Sequence, residues 1–175
     1  MRKILKNKKG FTLLELIIYV FIVAIILTAI TMYAIDVIGA QTKAKSYQEV
    51  QYNARFAIRR IVNEIRRADD LNDGSSTFDT HPGVLSIGNN NPTKDPTVFD
   101  IASNRLRMTQ GGTPYFLTSD KVEITNMVFK DLSVANRTNN IKISMTVAHR
   151  NPENREEFDA EFTISSTAVI REQED

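Results

Sequence analysis

Residues 11–35 read FTLLELIIYVFIVAIILTAITMYAI, and this stretch decides the architecture of the chain. Twenty-one of these 25 residues are hydrophobic, and neither Pro nor Gly occurs among them. The 23 residues from Leu13 to Ile35 form about 35 Å of α-helix at 1.5 Å per residue, and a bilayer's hydrocarbon core is about 30 Å thick. The stretch is therefore predicted to be a transmembrane helix.

A basic leader precedes this helix. Its five positive charges are Arg2, Lys3, Lys6, Lys8 and Lys9, with no acidic residue among residues 1–10. A secretory signal peptide also joins a basic segment to an apolar one, but its apolar part runs for only about 7–15 residues. The longer run favours a retained single span. The positive-inside rule then places the leader in the cytoplasm and the chain after about residue 36 outside it.

One acidic side chain, Glu15, interrupts the apolar run. An acid at the centre of a membrane helix costs about 2.5–3.5 kcal/mol on insertion scales, and such residues are functional by default. Near the edge of the membrane, however, the carboxylate can also extend along the helix to reach water. Position alone leaves both interpretations open.

The residues around Glu15 resemble the type III signal of type IV prepilins and type II secretion pseudopilins. The matching order is Lys8-Lys9-Gly10-Phe11-Thr12-Leu13-Leu14-Glu15, followed by the apolar run from Leu16. In that family a membrane prepilin peptidase cuts after the glycine and methylates the new N-terminus. The resemblance implies cleavage between Gly10 and Phe11, N-methylation of Phe11, and pairing of Glu15 with the N-terminal amine of a neighbouring subunit during assembly.

The chemistry of these residues agrees with such a role. Gly10 has no side chain to obstruct a protease and favours a non-helical leader. After cleavage the new amine would lie about 6 Å along the helix from Glu15. Because either charge alone is costly where water is excluded, pairing them between subunits would specify register. Glu15 is therefore predicted to be an assembly residue, not a catalyst.

Residues 41–67 are polar but keep a helical period. Apolar or small residues recur there at spacings of three or four: Tyr47, Val50, Ala54, Ile58, Ile61, Ile65 and Ala68. Gly39 is the only Gly between Phe11 and Asp73, and no Pro occurs there. One helix is therefore predicted to run to about residue 68, over about 85 Å. Many major pilins kink at a Pro near mature position 22, which is Met32 here, so its absence favours a minor subunit.

Five arginines lie between Arg55 and Arg67. Such a run can bind DNA, but apolar positions and Glu64 interleave with it, which favours a solvated or subunit-facing helix side. Without the leader, residues 11–175 hold 17 basic and 21 acidic side chains, a formal sum of −4, and this balance disfavours a general nucleic-acid binder. The arginine-rich helix end also resembles that of J-type minor pseudopilins and W-type minor pilins.

The remainder is predicted to form a β-rich head. Residues 69–96 have loop composition, with one short apolar run at 84–87. Apolar and polar residues then alternate at 105–108, 122–128, 141–147 and 158–170, and Gly111-Gly112 is predicted to turn a hairpin toward Tyr115–Leu117. The expected fold class is α+β and pilin-like, with an antiparallel sheet covering one face of the helix. The expected divisions are the leader 1–10, the transmembrane helix 11–40, its amphipathic continuation 41–70 and the head 71–175.

Other candidate sites have weaker support from the sequence. The chain has no Cys, which excludes disulfides, thiol catalysis and Cys-ligated zinc. His81 and His149 lack metal-ligand spacing. In the acidic stretch 69–74, Leu71 occupies a ligand position of a calcium loop and Thr80 stands where the bidentate Glu belongs. Residues 136–138 form a glycosylation sequon, incidental in the prokaryote that the type III signal implies. Neither a metal, nor a cofactor, nor enzymatic activity is expected.

The sequence thus predicts a minor pilin or pseudopilin, a structural subunit of a type IV pilus or secretion pseudopilus, held in the cytoplasmic membrane before assembly. Its implied partners are prepilin peptidase, other pilins or pseudopilins, an inner-membrane assembly platform and the membrane itself. No small-molecule substrate is expected. Two alternatives remain open: a membrane-anchored binding module that is never cleaved, and a DNA-uptake subunit of a competence pilus.

Overall fold

A computed structural model of the chain describes residues 10–133 and 139–170. The elements are the helix α1 (Leu13–Ile65) and the strands β1 (Asp70–Leu71), β2 (Leu85–Gly88), β3 (Thr97–Ala102), β4 (Arg105–Gln110), β5 (Thr113–Phe116), β6 (Val122–Asp131), β7 (Asn139–His149) and β8 (Glu161–Ile170). The α+β class is confirmed, since one long helix packs on antiparallel sheets. By compactness the chain divides into two units, residues 1–41 and 42–175.

Helix α1 is continuous over 53 residues, as expected of a segment without Pro. Its end lies three residues before the predicted one. The Arg67 N–H donates to the Glu64 carbonyl at 3.1 Å and the Ala68 N–H to the Ile65 carbonyl at 3.2 Å. The last turn therefore tightens into hydrogen bonds between residues three apart, a common way for a helix to end.

The first unit contains the apolar half of α1. Every side chain from Phe11 to Asp36 is exposed, and α1 is long and apolar enough to cross a membrane. The hydroxyls of Thr28 and Thr31 donate to the carbonyls of Ala24 and Leu27, each at 2.8 Å. These polar groups are satisfied within the helix, so they do not oppose an apolar environment.

Two antiparallel sheets form the second unit with the rest of α1. Strands β1 to β5 lie side by side in chain order in one sheet, and β6, β7 and β8 form the other. The predicted hairpin is confirmed as β4 and β5, and Gly111 and Gly112 take positive φ values of 52° and 84° at its turn. Two strands differ from the prediction. The short apolar run at 84–87, which was expected within a loop, forms most of β2, and β3 was not predicted.

The last strand begins later than the alternating residues at 158–170 predicted. Residues Glu156–Phe158 form a 3₁₀ turn, and β8 begins at Glu161. Two hydrogen bonds close the preceding loop. The Asn151 side-chain amide donates to the Arg155 carbonyl at 2.8 Å, and the Arg155 N–H donates to Asn151 Oδ1 at 2.8 Å. This closure keeps Phe158 outside the sheet, stacked on His149 with ring centroids 5.2 Å apart.

The core lies between α1 and the sheets. The buried helix residues Val50, Ala54, Ala57, Ile61 and Ile65 share it with sheet residues that include Phe99 and Phe129. One predicted stripe residue is misplaced: Tyr47 is 39% exposed, whereas its polar neighbour Ser46 is buried. The Ser46 hydroxyl donates to the Thr42 carbonyl at 3.0 Å, so its burial leaves no unpaired donor.

A polar cluster fixes the helix to the sheets. The side chain of Asn53 is buried. Its Oδ1 accepts the Ser119 N–H at 2.8 Å, and its Nδ2 donates to the carbonyl and carboxylate of Glu49 at 2.9 and 3.1 Å. The Ser119 hydroxyl also donates to Glu49 Oε1, at 3.1 Å. Asn53 therefore links α1 to the segment that joins the two sheets.

Residues 79–83 cover the outer edge of β6. The Asp79 and Gly83 N–H groups donate to the carbonyls of Phe129 and Met127, at 2.8 and 2.9 Å. His81 Nδ1 accepts the Met127 N–H at 2.9 Å. A Cβ at Gly83 would lie 3.0 Å from the Phe129 ring and 3.2 Å from the Met127 carbonyl, so any larger residue would push β6 away from this segment. Covering the edge removes a row of unpaired backbone groups that other strands can bind.

Asn53→Ala should lower the free energy of unfolding of the head by about 1–3 kcal/mol, because it leaves the Ser119 N–H without its acceptor and removes one of the two hydrogen bonds to the Glu49 carboxylate. Thermal unfolding of the full chain in detergent, followed by near-ultraviolet circular dichroism, measures the loss. Asn63→Ala is the matched control, since Asn63 is exposed on the same helix and should cost less than about 0.5 kcal/mol. Equal losses in the two variants would contradict the role given to Asn53.

Candidate functional site

The predicted cleavage site lies in an exposed segment that precedes α1. Residues 10–12 are exposed and outside any helix or strand, and no atom lies within 4 Å of a Cβ built on Gly10. The Gly10–Phe11 peptide bond is therefore open to another molecule. The basic cluster of Arg2, Lys3, Lys6, Lys8 and Lys9 lies outside the described residues.

Thr12 caps the N-terminus of α1. Its carbonyl accepts the Leu16 N–H at 3.2 Å, and its Oγ1 accepts the Glu15 N–H at 3.2 Å. One of the first N–H groups of the helix, which have no partner inside it, is thus satisfied. This role was not predicted from the sequence, although Thr12-Leu13-Leu14-Glu15 fits the capping-box pattern in which Thr is followed three residues later by Glu.

The cap fixes the position of Glu15. Glu15 is the third residue of α1 and is exposed. Among the described residues, no basic group lies within ion-pair distance of its carboxylate. A negative charge in the first turn is favourable because the helix dipole is positive at this end. The structure therefore places an acid without a described partner four positions after Phe11, at the start of an apolar helix.

The apolar half of α1 has two further surface features, an aromatic contact and a shallow groove. The rings of Phe11 and Tyr19 lie 5.7 Å apart at an angle of 50°, which places Phe11 against the side of the helix. Further along, a shallow apolar groove of about 370 Å³ is lined by Phe21, Ala24, Ile25, Thr28, Ala29 and Met32. Small residues at such positions let a second helix approach closely.

The other sites considered from sequence remain separate from this one. His81 accepts a backbone hydrogen bond, and His149 stacks on Phe158. In the acidic stretch, Asp70 Oδ1 accepts the Leu71 N–H at 2.7 Å. Within residues 10–133 and 139–170 no group of three or more His, Asp or Glu side chains could hold a metal ion. The sequon at 136–138 lies outside the described ranges.

Comparison with known families identifies the N-terminal segment. Residues 5–31 match the family model described as the prokaryotic N-terminal methylation motif, which marks type IV prepilin-like proteins. The match spans the end of the leader, the exposed segment around Gly10, the Thr12 cap and much of the apolar half of α1. Comparisons with curated proteins and with solved structures give no significant match.

Thr12→Ala should fray the first turn of α1, because loss of an N-cap costs about 1 kcal/mol. Hydrogen exchange at the Glu15 and Leu16 amides, measured on the full chain in detergent, should be about fivefold faster than in the unchanged protein. Thr12→Ser keeps the hydroxyl and should exchange at the original rate. Equal exchange in all three proteins would show that Thr12 does not hold the first turn.

Proposed function

We propose that this type IV prepilin-like chain is a minor pilin or pseudopilin, a structural subunit without catalytic activity. Prepilin peptidase would cleave it between Gly10 and Phe11 and methylate Phe11, and the mature chain would enter a type IV pilus or type II secretion pseudopilus. The observation that carries the proposal is the methylation motif at residues 5–31, which precedes and overlaps a helix half that buries no side chain within the described chain.

The first step is processing at the cytoplasmic face of the membrane. The Gly10–Phe11 bond is exposed and non-helical, which is the form of backbone that a protease can hold extended. Arg2, Lys3, Lys6, Lys8 and Lys9 would keep the leader in the cytoplasm. Cleavage would remove all five charges and create an amine at Phe11, beside the Thr12 cap.

Before assembly, the subunit would be a single-pass protein of the cytoplasmic membrane, with its head outside the cytoplasm. The exposed apolar side chains from Leu13 to Ile35 would contact lipid. The internally bonded Thr28 and Thr31 hydroxyls keep the cost of insertion low. Glu15 would be the one charged group of the span and would require a partner.

During assembly, the helix would leave lipid for a bundle of like helices from other pilins or pseudopilins, driven by an inner-membrane assembly platform. Glu15 would meet the Phe11 amine of a neighbouring subunit. Burying the two charges together offsets a desolvation cost that either charge alone would bear. An error of one residue in register would leave both unpaired, so the pair would specify how far one subunit is shifted along the next.

The proposed subclass rests on two features of α1. The absence of Pro from α1 and the arginine-rich end of the helix favour a minor subunit of the J or W type. Two alternatives differ in measurable ways. An uncleaved membrane-anchored binding module would retain its leader, and a DNA-uptake subunit would bind DNA through the arginines in a salt-dependent manner.

Intact-mass analysis of the protein from its own membranes should show a chain that begins at methylated Phe11. Gly10→Leu should leave the leader attached, because its side chain obstructs the bond to be cut. Gly39→Leu is the matched control: Gly39, like Gly10, has nothing within 4 Å of an added Cβ, and this variant should be cleaved normally. An unmodified protein that begins at Met1 would exclude the pilin function.

Glu15→Ala should leave cleavage largely intact and strongly reduce incorporation into filaments, because the Phe11 amine then enters the bundle unpaired. Quantitative immunoblotting of sheared filaments against total membrane protein measures incorporation. Asp36→Ala is the control, since Asp36 is the next acid along α1 and lies past the apolar run. Normal incorporation of Glu15→Ala would mean that this carboxylate only reaches toward water.

A further inference from the structure

Strand β8 forms a sheet edge that the described chain leaves uncovered. Within residues 10–133 and 139–170, the two sheets end at four edge strands, β1, β5, β6 and β8. Natural proteins normally protect such edges, because the unpaired N–H and C=O groups bind other strands. Here β1 has only two residues, Pro114 interrupts the four residues of β5, and residues 79–83 cover β6. The ten residues of β8 include neither Pro nor Lys nor Arg, and their register with β7 has no bulge.

The unpaired backbone groups of β8 belong to alternate residues. The His149 N–H donates to the Ala160 carbonyl at 2.8 Å, which continues the register of β7 with β8 and makes these two residues a hydrogen-bonded pair. Since such pairs recur at every second residue of an antiparallel ladder, Thr163, Ser165 and Thr167 direct their N–H and C=O groups away from β7. Within the ranges that the structure describes, no hydrogen bond reaches those groups.

A groove lies beside this free edge. It has a volume of about 250 Å³ and is lined by Ile58, Arg59, Val62, Asn63, Arg66 and Ser166. No residue of β7 lines it, so the groove lies on the side of β8 that faces away from β7. Ile58 and Val62 are buried at its floor, whereas Arg59 and Arg66 are exposed at its rim. Neither arginine forms an ion pair with a described residue.

Helix α1 brings a third arginine to the same side of β8. The Arg55 guanidinium lies 5.8 Å from the centre of the Phe162 ring, near the start of the strand. Ser166, four residues further along, shares the groove with Arg59 and Arg66. Phe162 and Ser166 lie on one face of β8, because residues two and four apart share a face. A strand added to β8 would therefore direct every second side chain toward the arginines and the apolar floor.

We propose that β8 binds an extended segment of another protein as an additional strand. Alternate residues of that segment are apolar or acidic, because they face Ile58 and Val62 on the floor of the groove and Arg59 and Arg66 at its rim. In such strand addition the backbone hydrogen bonds provide affinity, and the side-chain contacts provide specificity. The inference goes beyond the proposed function, since it concerns a partner of the head and not the bundle of helices.

Charge favours a different protein over a second copy of this chain. Two copies that paired through their β8 edges would bring their own Arg59 and Arg66 side chains to the same side of the joint sheet. Like charges that face each other across an interface cost binding energy, whereas the carboxylates of an acidic segment neutralise them. Because the arginines are exposed, the contact should weaken as the salt concentration rises.

A synthetic peptide tests this proposal on the full chain in detergent. The probe has about ten residues, the length of β8, and alternates Thr with Leu and Glu; its matched control has Lys in place of Glu. The Glu peptide should slow hydrogen exchange at the Thr163, Ser165 and Thr167 amides about tenfold. The Lys peptide should leave their exchange unchanged. The Phe162 and Ile164 amides already bond to β7 and should change less.

Two substitutions at one position test the backbone pairing. Ser165→Pro removes an N–H that points away from β7, so β8 should stay paired with β7, whereas the affinity for the Glu peptide should fall about tenfold. Ser165→Ala keeps this N–H and should bind the peptide as the unchanged protein does. Near-ultraviolet circular dichroism checks that both variants are folded.

Charge reversal tests the groove without altering the strand. Arg59→Glu with Arg66→Glu should lower the affinity for the Glu peptide about tenfold and should allow the Lys peptide to bind. Lys130→Glu with Lys142→Glu makes the same change in net charge on exposed strand residues and should leave both affinities unchanged. Fluorescence anisotropy of the labelled peptides measures the affinities.

Three results would overturn the proposal. One is that the Glu peptide leaves exchange at Ser165 unchanged, and another is that neither Ser165→Pro nor the reversal of Arg59 and Arg66 weakens its binding. The third is slow exchange at Ser165 without peptide that increases with protein concentration, which would assign the edge to a second copy. None of these results bears on cleavage after Gly10 or on helix bundling, so the proposed function stands or fails separately.

Discussion

The apolar half of α1 buries no side chain against the rest of the described chain, so its apolar surroundings must come from other molecules. From Leu13 to Ile35 every residue of α1 is exposed, and hydrogen bonds within the helix satisfy its backbone and the hydroxyls of Thr28 and Thr31. Lipid and a bundle of similar helices both meet this requirement, and a subunit that is stored in a membrane and then assembled needs both. Under the proposed function, three features at the N-terminus would serve that exchange: an exposed bond at Gly10, a cap at Thr12 and one acid at Glu15.

The second half of α1 obeys the opposite constraint, because one of its sides must stay against the head while the other remains free. Val50, Ala54, Ile61 and Ile65 lie in the core, and the Asn53 bonds to Glu49 and Ser119 tie the helix to the sheets. This attachment leaves Tyr52, Arg59 and Arg66 on the outer side. Packing within the chain thus decides which residues of the helix are available to other molecules.

Much of this architecture could be predicted, because long periodic segments carry their own signal. The absence of Pro predicted the uninterrupted α1, and alternating residues predicted β4, β6 and β7. Strand β2 was missed because its four residues lie within loop-like composition and depend on pairing with β1 and β3. Tyr47 was placed in the core because it is apolar, whereas the buried positions Ser46 and Asn53 are polar and find distant or backbone partners that the sequence does not reveal. At the candidate site, Gly10, Phe11 and Glu15 were named from the motif, but the capping role of Thr12 was overlooked although its spacing was visible.

The central claim is that the apolar half of α1 leaves lipid for a bundle of helices. A spin label at Ile25→Cys tests it directly, because the chain has no other Cys. Collisions with dissolved oxygen, which is concentrated in lipid, should be frequent for the subunit in membranes and should fall sharply in isolated filaments, where the label is packed between helices. Unchanged oxygen accessibility in the two fractions would mean that the label is not packed between helices in the filament fraction, which would contradict the account.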